Sequence, residues 1–369
     1  MTNGYAYSIA RLVSALRAPA TTVRLSLREW SELVATARVA NLLGLLAERC
    51  RAASIPLPPE VEQHLSAHIQ LSERQRRAVC WEVHSLQRAL EPLGIPVVLL
   101  KGAAYAMSGN PVSRGRLFGD IDILVPREAL PRVELKLMVA GWASAKTDAY
   151  DQRYYRRWMH ELPPMINVRR GTVLDVHHTI LPLTSRHAPD AGRIMRDARP
   201  LPGLPTIRVP RPEHLLIHSL VHLLHEGELH NGLRDLFDID GLIRAFVEGR
   251  AFWDALVAAS AELDVAQPVY FGLLLAHRLV GAPVPPHAFR EFERRAGVRG
   301  PSASLTLLYR AAIEAGATRA EGALPALATF AIYVRAHWLR MPPYLLIPHL
   351  ARKALMQFKK DEPALVGRA

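Results

Sequence analysis

The sequence predicts a mainly helical α+β protein in which a small α/β unit lies between two helical regions. Two observations support this fold class. Apolar residues repeat at spacings of three and four over residues 1–92 and again from about Pro212 to Phe358, as in helices with one buried face. Between these stretches, short apolar runs bounded by turn residues are typical of buried strands. We therefore expect three regions: residues 1–93, 94–210 and 211–369.

The N-terminal region is expected to be helical as far as Gly94. The stretch "LREWSELVATARVANLLGLLAERC" keeps one apolar face and predicts a helix. The prolines of "SIPLPPE" interrupt this pattern. The stretch "VEQHLSAHIQLSERQRRAVCWEVHSLQRALEPLG" resumes it up to the glycine, a residue that commonly ends helices.

The α/β unit begins with "IPVVLLKG", a β-branched apolar run that predicts a buried strand, followed by a short helix over "AAYAMSG". After a loop, "DIDILVP" predicts a second strand and "REALPRVELKLMVAGW" a helix. The stretch "LPPMINVRRGTVLDVHHTIL" predicts a hairpin with an Arg-Gly turn. The strand patterns therefore lie within about residues 94–182.

The C-terminal region is predicted to be a series of helices separated by proline-rich joints at "GAPVPPH" and "RMPPY". The tail "YLLIPHLARKALMQFKKDEP" predicts a last helix packed on the body of the protein, with its lysines near the negative end of the helix dipole. A partner-docking or membrane-surface helix is the alternative for this tail.

Composition limits the class of protein. Half of the 369 residues are hydrophobic and 22% are charged, which is typical of globular proteins. Two isolated cysteines, Cys50 and Cys80, form neither a disulfide framework nor a metal site, so we expect a reducing cytoplasm. The sequence predicts no signal peptide and no membrane span. The net charge of +12 suits anionic partners, but the charges are scattered, so nucleic acid is an alternative that the pattern does not favour.

The tripeptide Asp-Ile-Asp occurs twice, as Asp120–Asp122 and Asp238–Asp240. In the first copy, on a strand, the two carboxylates point to the same face, where they repel each other unless a cation lies between them. Such a pair suits Mg²⁺, which prefers oxygen ligands. The second copy lies in a helical pattern, where residues two apart are about 200° apart and cannot share an ion. There we expect one carboxylate to be solvated and the other to form a hydrogen bond within the helical region.

Two further features belong beside the first copy. Asp175 lies on a predicted strand next to it and supplies a third carboxylate. Gly102 lies at a strand-to-helix turn, where a backbone without a side chain can approach a phosphate. Together these residues fit phosphoryl or nucleotidyl transfer with bound metal.

The segments "VVLLKGAAYAM", "RGRLFGDIDILV" and "VLDVHH" resemble the nucleotidyltransferase fold, the DNA polymerase β-like superfamily. More closely, they are similar to bacterial nucleotidyltransferases with a Leu-Lys-Gly, arginine, Asp-Ile-Asp and Asp-hydrophobic-His pattern. The stretches "LLIHSLVHLLHEG" and "LRDLFDIDGL" also look like that family. The resemblance implies a nucleotidyltransferase α/β core with a mixed sheet, embedded between the N-terminal helices and a C-terminal helical domain.

The resemblance also implies residue roles. Asp120, Asp122 and Asp175 would hold Mg²⁺, with Mn²⁺ as an alternative, and Asp175 would help to deprotonate an acceptor hydroxyl. Gly102 would lie under the triphosphate of an NTP. Lys101 and Arg116 match family positions and would neutralise phosphate charge. The alternatives for these two cations are a strand-end lysine and a solvated loop arginine.

Three further residues complete the expected nucleotide site. Ala103 stands where the wider superfamily has a serine, so the hydroxyl that contacts the phosphates is missing. His177 shares a strand face with Asp175 and would orient a carboxylate or touch a phosphate; an ordinary strand histidine is the alternative. His222 matches a family position and is expected in the cleft wall. His214, His218 and His222 recur every four residues, but a helix face that borders the nucleotide cleft, or that packs between helices, is favoured over a zinc site there.

The expected function is transfer of a nucleoside monophosphate from an NTP, with ATP favoured, to an acceptor hydroxyl or phosphate, with release of pyrophosphate. Family members occur beside genes for ribosomally made, modified peptides, so a peptide is one candidate acceptor. Another protein, a small molecule or an RNA end are others. The alternatives are a non-catalytic nucleotide- or nucleic-acid-binding regulator and an RNA-modifying toxin.

Overall fold

The computed structural model describes residues 2–342, 344, 346 and 347. Helices precede and follow a mixed sheet in the chain, so the expected α+β, mainly helical class is confirmed. The helices in the described residues are α1 (Thr2–Arg17), α2 (Leu27–Val39), α3 (Leu43–Ala52), α4 (Pro59–Leu90), α5 (Lys101–Met107), α6 (Leu130–Val139), α7 (Ala149–Trp158), α8 (Ala191–Asp197), α9 (Pro212–His225), α10 (Gly232–Phe246), α11 (Arg250–Glu262), α12 (Ala266–Val280), α13 (Pro286–Ala296), α14 (Ala303–Thr318) and α15 (Ala323–Arg340). The strands there are β1 (Val97–Leu100), β2 (Asp120–Leu124), β3 (Trp142–Ser144), β4 (Met165–Asn167), β5 (Val173–His177), β6 (Arg199–Leu201) and β7 (Leu204–Val209).

The N-terminal region is helical, as predicted, with one difference. The stretch "LREWSELVATARVANLLGLLAERC" forms two helices, α2 and α3, because the chain turns at Asn41, whose φ of 56° is left-handed. An apolar face that continues across the turn conceals this break. A capping box fixes the start of α2, since the Ser26 side chain accepts from the Glu29 amide and Glu29 accepts from the Ser26 amide. Helix α4 and a short 3₁₀ turn end at Gly94, as expected.

The sheet has the strand order β3-β4-β5-β2-β1-β7-β6. Strand β2 runs parallel to β5, and β1 runs parallel to β7, whereas the other neighbours are antiparallel. The predicted hairpin is present as β4 and β5, joined through the Arg-Gly turn. In the β2–β5 pair, Asp122 lies directly opposite Asp175. The centre of the sheet therefore carries the acidic residues that the sequence singled out.

The sheet extends beyond the range in which the sequence shows strand patterns. Strands β6 and β7 reach Val209, and β7 pairs with the buried strand β1. Neither strand has a clear local pattern, because β6 contains Pro200 and β7 contains Pro205 and the polar residue Arg208. Long-range pairing determines this edge of the sheet. Strand β3 and helices α7 and α8 were also missed.

The loop between α5 and β2 is held by the N-terminal helices. Gly44, near the start of α3, and Gly115, in the loop, meet backbone to backbone, and a Cβ on either would overlap the other's carbonyl oxygen. Farther along the loop, the Phe118 amide donates to Gln75 Oε1 of α4 at 2.9 Å. Helices α3 and α4 therefore fix the loop that carries Arg116.

One continuous cluster of buried apolar side chains includes residues from all three regions that the sequence suggests. The boundaries at residues 93 and 210 stay a proposal. Among the described helices, none is both long and apolar enough to cross a lipid bilayer. The prediction for the tail from Tyr344 onward lies almost entirely outside the described residues.

The contact between Gly44 and Gly115 predicts that a single methyl group destabilises the protein. Gly44→Ala should lower the free energy of unfolding by about 1–3 kcal/mol because of overpacking. This loss should appear even though alanine is the better helix former by about 1 kcal/mol. Gly119→Ala, in the same loop but with no atom within 4 Å of its added Cβ, is the matched control. Chemical denaturation measures both, and equal stability of the two variants would contradict the packing.

Candidate active site

Three aspartates converge at the middle of the sheet. Asp120 and Asp122 lie on one face of β2, and Asp175 lies opposite Asp122 on β5. One carboxylate oxygen from each lies within 4.8 Å of the others. Asp120 is exposed, Asp175 is half-buried, and Asp122 is only 1% exposed. We call these three residues the aspartate trio.

A lysine and a histidine contact Asp122, the most buried member of the trio. Lys101 Nζ donates to Asp122 Oδ1 at 2.7 Å, and His177 Nε2 lies 3.1 Å from the same oxygen. Burial would raise the pKa of Asp122, but Lys101 and His177 outweigh it and hold this pKa well below its ordinary value. The Lys101 backbone has a left-handed φ of 44°, a conformation that costs a non-glycine residue about 1–2 kcal/mol. The backbone is therefore strained at the β1–α5 junction, at the residue whose side chain contacts Asp122.

The other two carboxylates lack such direct compensation. The charge of Asp122 and partial loss of solvent raise the pKa of Asp120. Burial, Glu161 and Asp122 raise the pKa of Asp175 to about 7. Asp175 Oδ1 is buried and has no hydrogen-bond partner among the described residues. Three neighbouring oxygen ligands, one of them unpartnered, fit a divalent metal ion, which would offset their repulsion.

Arg116 packs against the turn that contains Gly102. A Cβ on Gly102 would lie 2.8 Å from Arg116 Nη1 and 3.0 Å from the Phe118 ring. Arg116 Nε donates to Asp238 Oδ2 of α10 at 3.0 Å, and both side chains are largely buried. Burial lowers the pKa of Arg116, but the charge of Asp238 outweighs it and raises this pKa. The absence of a side chain at Gly102 thus makes room for a permanently charged guanidinium.

The second Asp-Ile-Asp copy lies on α10, as predicted, and is separate from the trio. Asp238 binds Arg116, whereas Asp240 binds Arg244 at 3.0 Å. The expectation that one of these carboxylates is solvated was wrong, because both carboxylates are largely buried and each has an arginine partner. Arg116 is buried as well, whereas Arg244 is about half exposed. The first copy forms part of the trio, and the second copy contacts the same site indirectly through Arg116.

A cavity of about 620 Å³ opens beside the trio, with walls from the sheet and from the C-terminal helices. It is lined by most of the residues that the sequence predicts for the site: Lys101, Gly102, Arg116, Asp120, Asp175, His177 and His222. Two of the predicted residues, Asp122 and Ala103, are each 1% exposed and do not line it. Burial and Lys101 hold the pKa of His222 well below its ordinary value, so this wall is neutral there.

Several cavity residues were not predicted: Tyr155, His160, Glu161, Arg234, Asp235 and Arg340. His160 and Glu161 precede β4 in "MHELPP", which has no periodic pattern, and a single β-bridge from Glu161 to His177 brings them to the site. His160, Glu161 and His177 place one ligand atom each within 4.8 Å of the others. Among the described residues, the α9 histidines His214, His218 and His222 do not form such a group.

The raised pKa of Asp175 predicts a stability cost without metal. Because the folded chain holds this proton more tightly than the unfolded chain, Asp175 destabilises the fold progressively as pH rises from about 4 to about 7. In EDTA at pH 8, Asp175→Asn should raise the free energy of unfolding by about 1–3 kcal/mol. At pH 5 the gain should shrink.

Denaturation curves at the two pH values measure this difference. The exposed residue Glu248 supplies a control, since Glu248→Gln should change stability little at either pH. A loss of stability in Asp175→Asn at pH 8 would show that this carboxylate is not destabilising.

One comparison with known proteins identifies the family of this chain. The family model described as "Uncharacterised nucleotidyltransferase" matches residues 26–281, which include the whole sheet and every member of the trio. No curated protein and no solved structure gives a significant match. Because the match covers more than half of the chain, the chain belongs to this nucleotidyltransferase family and is an enzyme that transfers phosphorus-containing groups.

Proposed function

We propose that the enzyme moves a nucleoside monophosphate from an NTP, ATP in the first instance, to an acceptor hydroxyl or phosphate, with release of pyrophosphate. The observation that carries this proposal is the aspartate trio, two members of which, Asp120 and Asp175, line a cavity of about 620 Å³ that cationic side chains also line. The cavity is large enough for a small-molecule ligand. Family membership supports the reaction class.

The trio would hold Mg²⁺, with Mn²⁺ as a substitute, since all its ligands are carboxylate oxygens. When bound, such an ion neutralises charge on the triphosphate and on the reacting oxygens. Lys101 is already within hydrogen-bond distance of Asp122 and would balance the remaining negative charge. The pairing of β2 with β5 already places Asp122 and Asp175 opposite each other, as the two would need to be to share a metal ion.

Asp175 is proposed to take the proton of the acceptor hydroxyl. Its Oδ1 has no hydrogen-bond partner among the described residues and would accept that proton. As the acceptor oxygen bonds to the α-phosphorus, the bond to the β-phosphate oxygen breaks and pyrophosphate leaves. Both the nucleotide and the acceptor must therefore reach Asp175, which lies on the cavity wall.

The phosphates would lie on the side of the cavity formed by Lys101, Gly102 and Arg116, with Ala103 buried beneath the turn. Arg116 is held by Asp238 and keeps its charge at every relevant pH. His177 would orient Asp122, whereas the neutral His222 would border the nucleotide. We propose a peptide hydroxyl as the first acceptor to test, before small molecules and RNA ends.

The trio predicts that chemistry depends on three particular carboxylates. Asp120→Asn and Asp122→Asn should reduce Mg²⁺-dependent pyrophosphate release below detection. Asp175→Asn should keep NTP affinity within several-fold of the wild type but slow transfer by at least about 10²–10⁴, the range expected for loss of a general base. Mass spectrometry of candidate acceptors, incubated with each NTP and Mg²⁺, identifies the product.

Asp240→Asn is the matched control, because it changes a buried carboxylate in the second Asp-Ile-Asp copy, outside the site. It should transfer at nearly the wild-type rate if the protein is folded. Turnover within tenfold of the wild type in Asp175→Asn would show that Asp175 is not the general base. Full activity in Asp120→Asn or Asp122→Asn would show that the trio does not bind the metal ion on which transfer depends.

The ion pair between Arg116 and Asp238 predicts a separate effect on nucleotide binding. In Asp238→Asn the guanidinium loses its charged partner and should no longer be fixed beside Gly102. Affinity for Mg²⁺–NTP should fall by about tenfold, or 1.4 kcal/mol. Calorimetric titration of folded protein measures this loss, and unchanged affinity would mean that Arg116 does not contact the phosphates.

A further inference from the structure

We propose that His160, Glu161 and His177 bind a divalent transition-metal ion, Zn²⁺ first, at a second site in the wall of the cavity. Their ligand atoms lie within 4.8 Å of one another, and all three residues line the cavity. Two imidazoles and one carboxylate form a ligand set used by zinc sites that keep an open position. This binding does not rest on the proposed transfer reaction.

The distances between the ligand atoms suit a single ion. Glu161 Oε2 lies 3.4 Å from His177 Nδ1 and 3.8 Å from His160 Nε2. Zinc ligands lie about 2.0–2.2 Å from the ion, so tetrahedral neighbours are roughly 3.3–3.6 Å apart. The centroids of the two imidazole rings lie 5.2 Å apart, and Glu161 Oε2 lies near one nitrogen of each ring. Small shifts of the side chains would therefore complete the site.

The surroundings of His177 also match those of a metal ligand. Its Nε2 lies 3.1 Å from Asp122 Oδ1, while its Nδ1 is buried and has no hydrogen bond among the described residues. A carboxylate on one ring nitrogen commonly orients a histidine whose other nitrogen binds a metal. His177 is 3% exposed, so this nitrogen cannot be satisfied by bulk water. A protonated His177 bridging Asp122 and Glu161 is the competing explanation, but it leaves His160 without a function.

Ligand chemistry distinguishes this site from the aspartate trio. Imidazole nitrogens favour zinc and related ions, whereas three carboxylates favour Mg²⁺ or Mn²⁺. Three protein ligands leave a fourth position open, and all three residues line the cavity, from which a fourth ligand could come. Water, or an anionic oxygen of a phosphate or carboxylate substrate, would fill that position.

Cobalt titration of the full-length protein, after removal of metal with a chelator, tests the proposal. The intense visible absorption of a tetrahedral nitrogen and oxygen site should saturate at one equivalent of Co²⁺, and Zn²⁺ should abolish it. Co²⁺ bound by the carboxylates of the trio would be octahedral and would add only weak absorption. Glu161→Gln and His160→Ala should each weaken Co²⁺ binding by at least about 100-fold, since each removes one of three ligands. His222→Ala, which changes a cavity histidine outside the group, and Asp120→Asn should leave the spectrum unchanged.

X-ray absorption of the zinc-loaded wild type gives a readout that needs no variant. Scattering from two imidazoles and one carboxylate would support the site, whereas a shell of oxygen atoms alone would assign the ion to the trio and overturn the proposal. Failure of the folded wild type to bind Co²⁺ or Zn²⁺ would overturn it as well. So would a tetrahedral spectrum that persists in folded Glu161→Gln and His160→Ala.

Discussion

The parallel pairing of β2 with β5 is the constraint on which the candidate site depends. It places Asp122 opposite Asp175 in the middle of the sheet, with Asp120 on the same face of its strand. Burial and mutual repulsion would make three carboxylates costly here, but Lys101 and His177 both contact Asp122. Nearby cationic groups offset only part of the repulsion and burial at Asp120 and Asp175, so the pKa values of both carboxyl groups stay raised. A cation bound by the trio would supply the missing compensation.

The C-terminal helices take part in the site through one ion pair. Asp238 of α10 holds Arg116, whose guanidinium fits against Gly102 because that residue has no side chain. The loop that carries Arg116 is in turn fixed from the N-terminal side by the contact between Gly44 and Gly115. Helices on both sides of the sheet thus set the position of a single cation. The helical regions therefore shape the cavity beside the aspartate trio as well as forming the hydrophobic core.

The sequence predicted those parts of the site that local patterns specify. Alternation along β2 indicated that Asp120 and Asp122 share a face, and helical spacing excluded the same arrangement for the second copy. Contacts between distant residues could not be predicted in this way. Arg116 and Asp238 are 122 residues apart, and Glu161 reaches His177 through an isolated bridge. Strands β6 and β7 were missed for the same reason, because their pairing partners, and not their composition, make them strands.

The most direct test of the central claim is a crystal structure of the enzyme with Mn²⁺ and an NTP analogue that cannot be cleaved between the α- and β-phosphates. Anomalous scattering would locate Mn²⁺ independently of any assumption about the site. We predict an anomalous peak among the carboxylates of Asp120, Asp122 and Asp175, in contact with the triphosphate, and the phosphates beside Gly102 and Arg116. A nucleotide bound elsewhere, or Mn²⁺ absent from the trio while nucleotide is present, would contradict the proposed active site.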